Sequence, residues 1–180
     1  YNNFERDRFG LATGQLCNHV KVNNTKIPVY IQPTKEFVLP KNGSTDIIMI
    51  GPGTGIAPFR AFLEHRIAEH AHGRNWLFFG EIHEESTFFY KDEWFSAMKK
   101  GHLNKLTTAF SRDQENKIYV QHRLLSNGKE IWKWLQDGAY CYVCGDKQYM
   151  AKDVHASLIK IAQKEGKLKK KDAENYINQT

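Results

Sequence analysis

From residue 45 onward one unit recurs along the chain: a short apolar run followed by an amphipathic helical stretch. "DIIMI" (46–50) leads through "GPGTG" into "APFRAFLEHRIAEH", where Phe59, Phe62, Leu63 and Ile67 share one helical face. "NWLFFG" precedes a helix around "YKDEWFSAMKK", and "KLTTAF" (105–110) precedes a helix in "HRLLSNGKEIWKWLQDG". "AYCYVCG" precedes "QYMAKDVHASLIKIAQKEG". Short, mostly apolar strands alternating with amphipathic helices predict an α/β fold, a parallel β-sheet flanked by helices on both faces. In such sheets ligands sit beyond the C-terminal ends of the strands. Those ends here carry "GPGTG", "GEIHEE", "SRDQENK" and "CGDKQ", the most chemically loaded stretches in the chain.

Residues 1–43 read differently. "KIPVYIQPTKEFVLP" predicts a pair of short strands punctuated by Pro28, Pro33 and Pro40, with no helix. So short a β segment cannot close a barrel or bury much surface. It is expected to be the tail of a preceding β domain, joined by "LPKNGST" to a second domain over 44–180. The start without Met suggests a piece cut from a longer chain.

Composition narrows the function classes. With 180 residues, 41% of them hydrophobic, the chain can build one ordinary core, or one domain plus a fragment. Runs such as "IIMI" and "WLFF" are one strand long, so no membrane span is expected, and the polar "YNNFERDRFG" is no signal peptide. Cys17, Cys141 and Cys144 are too few for a disulfide scaffold, which points to a reducing, cytoplasmic setting. The net charge of +6 owes much to Lys167, Lys169, Lys170 and Lys171, which read as a solvated helix end rather than a nucleic-acid surface. A basic patch serving an anionic cofactor or an acidic partner is the better reading. His65, His70 and His72 do not fall on one helical face, and His83 sits in a solvated turn, so no metal is expected. The aromatic stripes "DEWF" and "EIWKWL" read as sheet cover.

Gly51, Gly53 and Gly55 let the backbone between strand and helix approach a ligand, and the helix N-terminus, with Pro58 in its first turn, attracts an anion. A dinucleotide fingerprint would need a further glycine at 56, which is Ile; no Gly-Lys-Ser/Thr follows for a P-loop. A tight turn with no ligand is the alternative. After the third strand, "SRDQENKIYVQ" brings Ser111, Arg112, Lys117, Tyr119 and Gln121 to the same edge. Hydroxyl, guanidinium and ammonium suit a phosphate monoester, and an aromatic with a planar Arg can sandwich adenine. The cluster therefore reads as selecting a 2′-phosphate, NADP over NAD. Against it stands Glu81, placed where an NAD-binding fold would carry its ribose-binding acid.

"GPGTGIAPFRAF", "NWLFFG", "AFSRDQENKIYVQHRL" and "YVCGDKQYMAKDV", in that order, resemble the NADPH-binding domain of the ferredoxin–NADP reductase superfamily. Within it they are most similar to the diflavin reductases, and "NWLFFGEIH" and "EIWKWLQDGA" favour the branch that serves sulfite reductase over the cytochrome P450 reductase branch. The resemblance implies that Gly51, Gly53, Thr54 and Gly55 contact NADPH, and that Ser111, Arg112, Lys117, Tyr119 and Gln121 hold its 2′-phosphate and adenosine. Asp153 matches an acid near the adenosine end, and Cys144, with Gly145 and Asp146, opens on the nicotinamide. Gly10, Leu11, Ala12 and Thr13 match a stretch that binds the FAD pyrophosphate, making 1–43 the end of an FAD-binding antiparallel β-barrel.

The implied reaction passes hydride from NADPH to FAD, then electrons through FMN to an acceptor protein, a sulfite reductase hemoprotein. The family's Arg-x-Tyr-Ser flavin motif, its FMN domain and its C-terminal flavin-stacking aromatic do not occur in this sequence. By itself the chain is expected to bind NADP(H), hold FAD weakly if at all, and be catalytically inactive. A P450 reductase-like electron donor, or a non-catalytic NADP-binding module, is the competing reading.

"CYVCGD" (141–146) raises three options: a disulfide-exchanging pair, half a metal clamp, or one working thiol. Side chains alternate along a strand, so Cys141 and Cys144, three apart, face opposite ways and cannot act together. Cys141 is expected in the core. Cys144 is the candidate for chemistry, its thiol packing beside the nicotinamide.

Overall fold

A computed structural model describes residues 2–3, 6–7, 10–146 and 148–179. It divides into two units, Tyr1–Glu36 and Phe37–Thr180. In the first, β1 (Asn2–Asn3) pairs antiparallel with β2 (Arg6–Asp7), and α1 (Leu11–Asn18) follows. The expected absence of a helix here is thus corrected. The expected strand pair over residues 26–40 is also missing. A strand exists only through its ladder, and this stretch, with three prolines, finds no partner among the described residues. Val29 and Ile31 stay 85% and 93% exposed. Residues 1, 4, 5, 8 and 9 of the expected β tail, and Lys147 of "CGDKQ", lie outside the described residues.

The second unit follows the strand–helix alternation closely. β3 (Ile47–Ile50) runs through a tight turn at Gly53–Ile56 into α2 (Ala57–Ala68). β4 (Asn75–Glu81) leads to α3 (Glu84–Thr87) and α4 (Lys91–Lys99). β5 (Lys105–Phe110) is followed by α5 (Val120–Ser126) and α6 (Gly128–Gln136), and β6 (Tyr140–Val143) by α7 (Met150–Glu165) and α8 (Lys170–Ile177). Among the described residues the strands form one parallel sheet in the order β5-β4-β3-β6, with Ile48 opposite Trp76 on one side and Cys141 on the other.

Successive side chains of the central strands pack on alternate faces of the sheet. Ile48, Ile50, Trp76 and Phe78 pack with Leu124, Ile131, Trp134, Val154 and Leu158 of α5, α6 and α7. Ile47, Met49, Leu77 and Phe79 pack with Phe59 and Leu63 of α2 and Trp94 and Ala97 of α4. Neither face of β3 meets water, which is why its sequence is uniformly apolar. Trp94, Trp132 and Trp134, from the two aromatic stripes, are buried as sheet cover.

Two boundaries differ from expectation. The single helix expected over 122–138 breaks at Asn127, whose side-chain amide donates to the Arg123 carbonyl at 2.8 Å and whose own carbonyl accepts from Glu130 and Ile131. Gly128 then brings the chain close to Ile161 of α7. The division between units falls at Glu36/Phe37, ahead of residue 43. Phe37 lies 5.2 Å from the Phe62 ring and 5.6 Å from Tyr142, and the Tyr142 hydroxyl donates to the Val38 carbonyl at 2.9 Å.

Trp76 tests the core directly. Its ring stacks on Phe78 at 4.9 Å, meets Trp134 at 5.2 Å, and its Nε1 donates to Thr107 Oγ1 at 3.0 Å. Trp76→Ala should cost about 3–5 kcal/mol in urea unfolding. Trp76→Phe, which keeps an aromatic and drops the bond to Thr107, should cost clearly less.

Candidate cofactor site

Four strand ends converge on one edge of the sheet. Past β4 and β5 the ladder continues in the loops: Ser111 N–H donates to the Glu81 carbonyl at 2.8 Å and Arg112 N–H to Ile82 at 3.0 Å. Beyond β3 the Gly51 N–H donates to Phe78, and beyond Val143 the Cys144 N–H donates to Ile50. These bonds carry the sheet's rigidity into the loops that bear the polar side chains.

A cavity of about 360 Å³ opens there. Pro52, Gly80, Glu81, Ser111, Tyr119, Gln121, Asp146, Tyr149 and Asp153 are among its lining residues. Of the residues singled out in the sequence, the fold therefore brings Ser111, Tyr119, Gln121, Asp146 and Asp153 together. Gln121 Nε2 donates to Asp153 Oδ2 at 3.2 Å, bridging the starts of α5 and α7. Arg112 and Lys117 project from the exposed loop after Ser111, and among the described residues neither has an acidic partner.

Gly51, Gly53, Thr54 and Gly55 border the edge without lining this cavity. Two of the glycines are required by the fold itself. A Cβ on Gly51 would meet the Phe59 ring at 2.6 Å, and one on Gly55 would collide with the Cys144 carbonyl. Gly53 differs: its φ of +58° suits glycine, and a Cβ there would meet only Glu81 Oε1, at 3.5 Å. The open side of the turn is therefore at Gly53. Glu81 lines the cavity, with Oε2 accepting the Ile82 N–H at 2.6 Å.

Asp146 has a structural task at this edge. Its Oδ1 accepts the Gln148 N–H at 2.9 Å and its Oδ2 the Tyr149 N–H at 3.1 Å, just ahead of α7. The Gln148 amide first, then those of Tyr149 and Met150 and the nearby Lys152 charge, hold its carboxyl below the ordinary 3.8. Gly145 lies against the terminal methyl of Met150, and its φ of +153° is a backbone conformation that disfavours a side chain.

The two thiols fall on opposite sides of β6. Cys141 packs with the α5–α7 cluster, and burial pushes its thiol up to about 12. Cys144 packs with the α2–α4 cluster, and burial raises its thiol too. Both are free, and both are neutral thiols at physiological pH. In the first unit Gly10 precedes α1, and Leu11, Ala12 and Thr13 form its first turn, where amide N–H groups lack intrahelical acceptors.

Tyr149 was not visible as a site residue in the sequence. It is 70% exposed, lines the cavity, and is placed by its backbone bond to Asp146. The only signal was an aromatic directly after the polar "CGDKQ", and that reads equally well as the first turn of a helix. Among the described residues no cluster of three His, Cys, Asp or Glu is placed to hold a metal, and no helix is long and apolar enough to cross a membrane.

A parallel sheet with a glycine turn after its first strand, and a largely apolar cavity with a few convergent polar side chains beyond its strand ends, has the form of a dinucleotide-binding α/β domain. The oxidoreductase NAD-binding domain family matches residues 49–156, and the chain belongs to that family. It is 47% identical over 178 residues to the sulfite reductase (NADPH) flavoprotein alpha-component of Vibrio parahaemolyticus, covering 99% of this chain and 28% of that protein. The protein of the same description from Shewanella oneidensis is 49% identical over 94% of this chain and 28% of its own length. That from Bacillus subtilis is 45% identical over 98% of this chain and 29% of its own. The chain thus spans less than a third of the length of the curated relatives it matches.

The Asp146 bonds give a pH prediction. A carboxyl held below its ordinary value stabilises the fold fully above 3.8, and loses that contribution as pH falls through its folded value. Asp146→Ala should lower the urea midpoint at pH 7, and its difference from the wild type should shrink from about pH 4 downward. A difference that stays constant down to pH 2 would exclude this role.

Proposed function

We propose that this chain is the NADPH-binding part of a flavoprotein reductase of the sulfite reductase type, which delivers electrons through flavin to a hemoprotein partner. The observation that carries the reading is the pair of cations, Arg112 and Lys117, without an acidic partner among the described residues, on the loop that also supplies Ser111 and Tyr119 to the strand-edge cavity. Two such cations and a hydroxyl beside an aromatic suit a phosphate monoester next to an adenine, the feature that separates NADP(H) from NAD(H). The names of the relatives, each a sulfite reductase (NADPH) flavoprotein, support NADPH as donor. Glu81, the acid that would argue for NAD, has one carboxylate oxygen engaged by the Ile82 amide.

In this reading Ser111, Arg112 and Lys117 fix the 2′-phosphate, and Tyr119, Gln121 and Asp153 form the adenosine end. Gly53 and Thr54 face the pyrophosphate, with Gly51 and Gly55 shaping the turn. Gly145 and Asp146 fix the start of α7 and so shape the nicotinamide end. Cys144 lies at that end as a neutral, polarisable thiol that packs against the reacting ring and sets its distance. NADPH, when bound, supplies the hydride.

The first unit, up to Glu36, belongs to an FAD-binding domain, with Gly10, Leu11, Ala12 and Thr13 offering the first-turn amides of α1 to the FAD pyrophosphate, and the unit from Phe37 onward, which takes in the expected 44–180, forms the NADP(H) domain. FMN belongs to a further domain outside this sequence. The three free thiols support a cytoplasmic location.

Calorimetry on this chain should show NADP⁺ binding more tightly than NAD⁺. Arg112→Ala with Lys117→Ala should narrow that preference by several kcal/mol at most, since each charge-assisted contact is worth ~1.5–3 kcal/mol. Equal affinities for the two nucleotides in the wild type would refute the assignment. In the full-length flavoprotein, Cys144→Ala should slow stopped-flow flavin reduction while leaving NADP⁺ affinity close to wild type; an unchanged rate would remove Cys144 from the chemistry.

A further inference from the structure

We propose that His83 and Asp113 are positioning residues for the phosphate-selective end of the site. They clasp the loop after β4 to the loop after β5, and so hold the backbone from which Arg112 and Lys117 reach a 2′-phosphate. The proposal rests on the reading of the cavity as an NADP(H) site.

The paired ladder of β4 and β5 ends at Glu81 opposite Phe110, and the Ser111 and Arg112 amides extend it by two further bonds. At the next residue the backbone bonding stops and a side chain takes over. Asp113 Oδ1 accepts from His83 Nδ1 at 2.8 Å, and Asp113 Oδ2 accepts the Glu84 N–H at 2.8 Å. The far side of the clasp is itself fixed. His83 N–H donates to Thr87 Oγ1 at 3.0 Å, and that hydroxyl donates back to the His83 carbonyl at 2.6 Å. On the near side, Gln114 Nε2 donates to the Phe110 carbonyl at 2.7 Å and closes the turn. Arg112 therefore sits between two anchored neighbours, with its backbone fixed and its guanidinium without an acidic partner among the described residues.

A second consequence is electrostatic. Asp113 is the acid next to Arg112, and an unengaged carboxylate there would compete with a phosphate for that guanidinium. Both Asp113 oxygens are instead occupied by His83 and the Glu84 amide. The Glu84 amide first, then His83, holds the Asp113 carboxyl below its ordinary value. Glu84 in turn pairs with Lys91 at 2.8 Å and is diverted from the same cations. The clasp is also wet, with the His83 and Asp113 side chains 47% and 34% exposed. Such a pair adds little to global stability, so its removal loosens the loop without unfolding the domain.

The test is nucleotide binding by this chain and its variants, with NADP⁺ and NAD⁺ as the probes. Asp113→Ala should weaken NADP⁺ roughly tenfold, the worth of about one charge-assisted contact, and leave NAD⁺ affinity unchanged. His83→Ala should act in the same direction, and His83→Asn, which restores a donor toward Asp113, should recover most of the loss. Parallel loss of both nucleotides, or no recovery in His83→Asn, would overturn the positioning role in favour of a merely structural one. Arg112→Ala separates the two levels. If it abolishes the NADP⁺ preference while Asp113→Ala leaves the preference intact, the clasp alone fails. If the wild type shows no preference, the site assignment fails and the clasp with it.

Discussion

Ile47 to Ile50 and Trp76 to Phe79 are shut off from water on both faces of the sheet, and this burial dictates where everything else can lie. Each such side chain contributes about 1.5–3 kcal/mol on leaving water, so the two strands together drive the fold. It is gained only if helices cover both faces, which places α2 and α4 on one side and α5 to α7 on the other. A dry, helix-covered sheet leaves polar chemistry nowhere to go but its ends. Parallel strands then bring all their C-terminal ends to one edge, and the cavity bounded by Ser111, Gln121, Asp146 and Asp153 lies there.

The glycine turn shows how one residue type answers to two demands. Gly51 is needed because the Phe59 ring lies over it, and Gly55 because the end of β6 crosses it. Neither fact involves a ligand. Yet the same close packing pulls β6 and the turn together and leaves Gly53, with its left-handed backbone, on the open side next to Glu81. Glycine spacing alone could not separate these roles, since steric need inside the protein and close approach by a phosphate leave the same mark in a sequence.

The legible parts of the chain were those set by burial. "IIMI", "NWLFFG" and "KLTTAF" appear as strands almost to the residue. The first two are apolar, save Asn75 and Gly80, because both of their faces are dry. The half-buried edge strand β5 carries Lys105, Thr107 and Thr108 and is marked by its β-branched residues and its place in the alternation. Where burial is weak the sequence misled. "KIPVYIQP" has strand composition but no ladder partner among the described residues, and "LATGQLCN" forms a helix where β structure was expected. The site divides in the same way. Ser111, Tyr119, Gln121 and Asp153 could be placed because they sit at fixed offsets from strand ends and helix starts. The His83–Asp113 contact joins residues 30 apart through the register of β4 on β5, and nothing local to either residue announces it.

The two cysteines of "CYVCGD" follow from the same period-two geometry that sets the core. Cys141 shares a face with Val143 and packs against the cluster that holds Ile48 and Trp134, while Cys144 shares a face with Tyr142 and packs against the cluster that holds Phe59 and Leu63. Burial raises both thiols, so neither is poised as a thiolate for disulfide exchange or metal capture. What separates them is position along the strand. Cys141 is paired within the sheet opposite Ile48, whereas Cys144 lies one residue past the last pair, where its backbone is held by Ile50 and its carbonyl closes over Gly55. A thiol so placed is neutral and stands at the C-terminal end of the strand with its backbone held in the sheet, the opposite of what a redox-active cysteine pair requires.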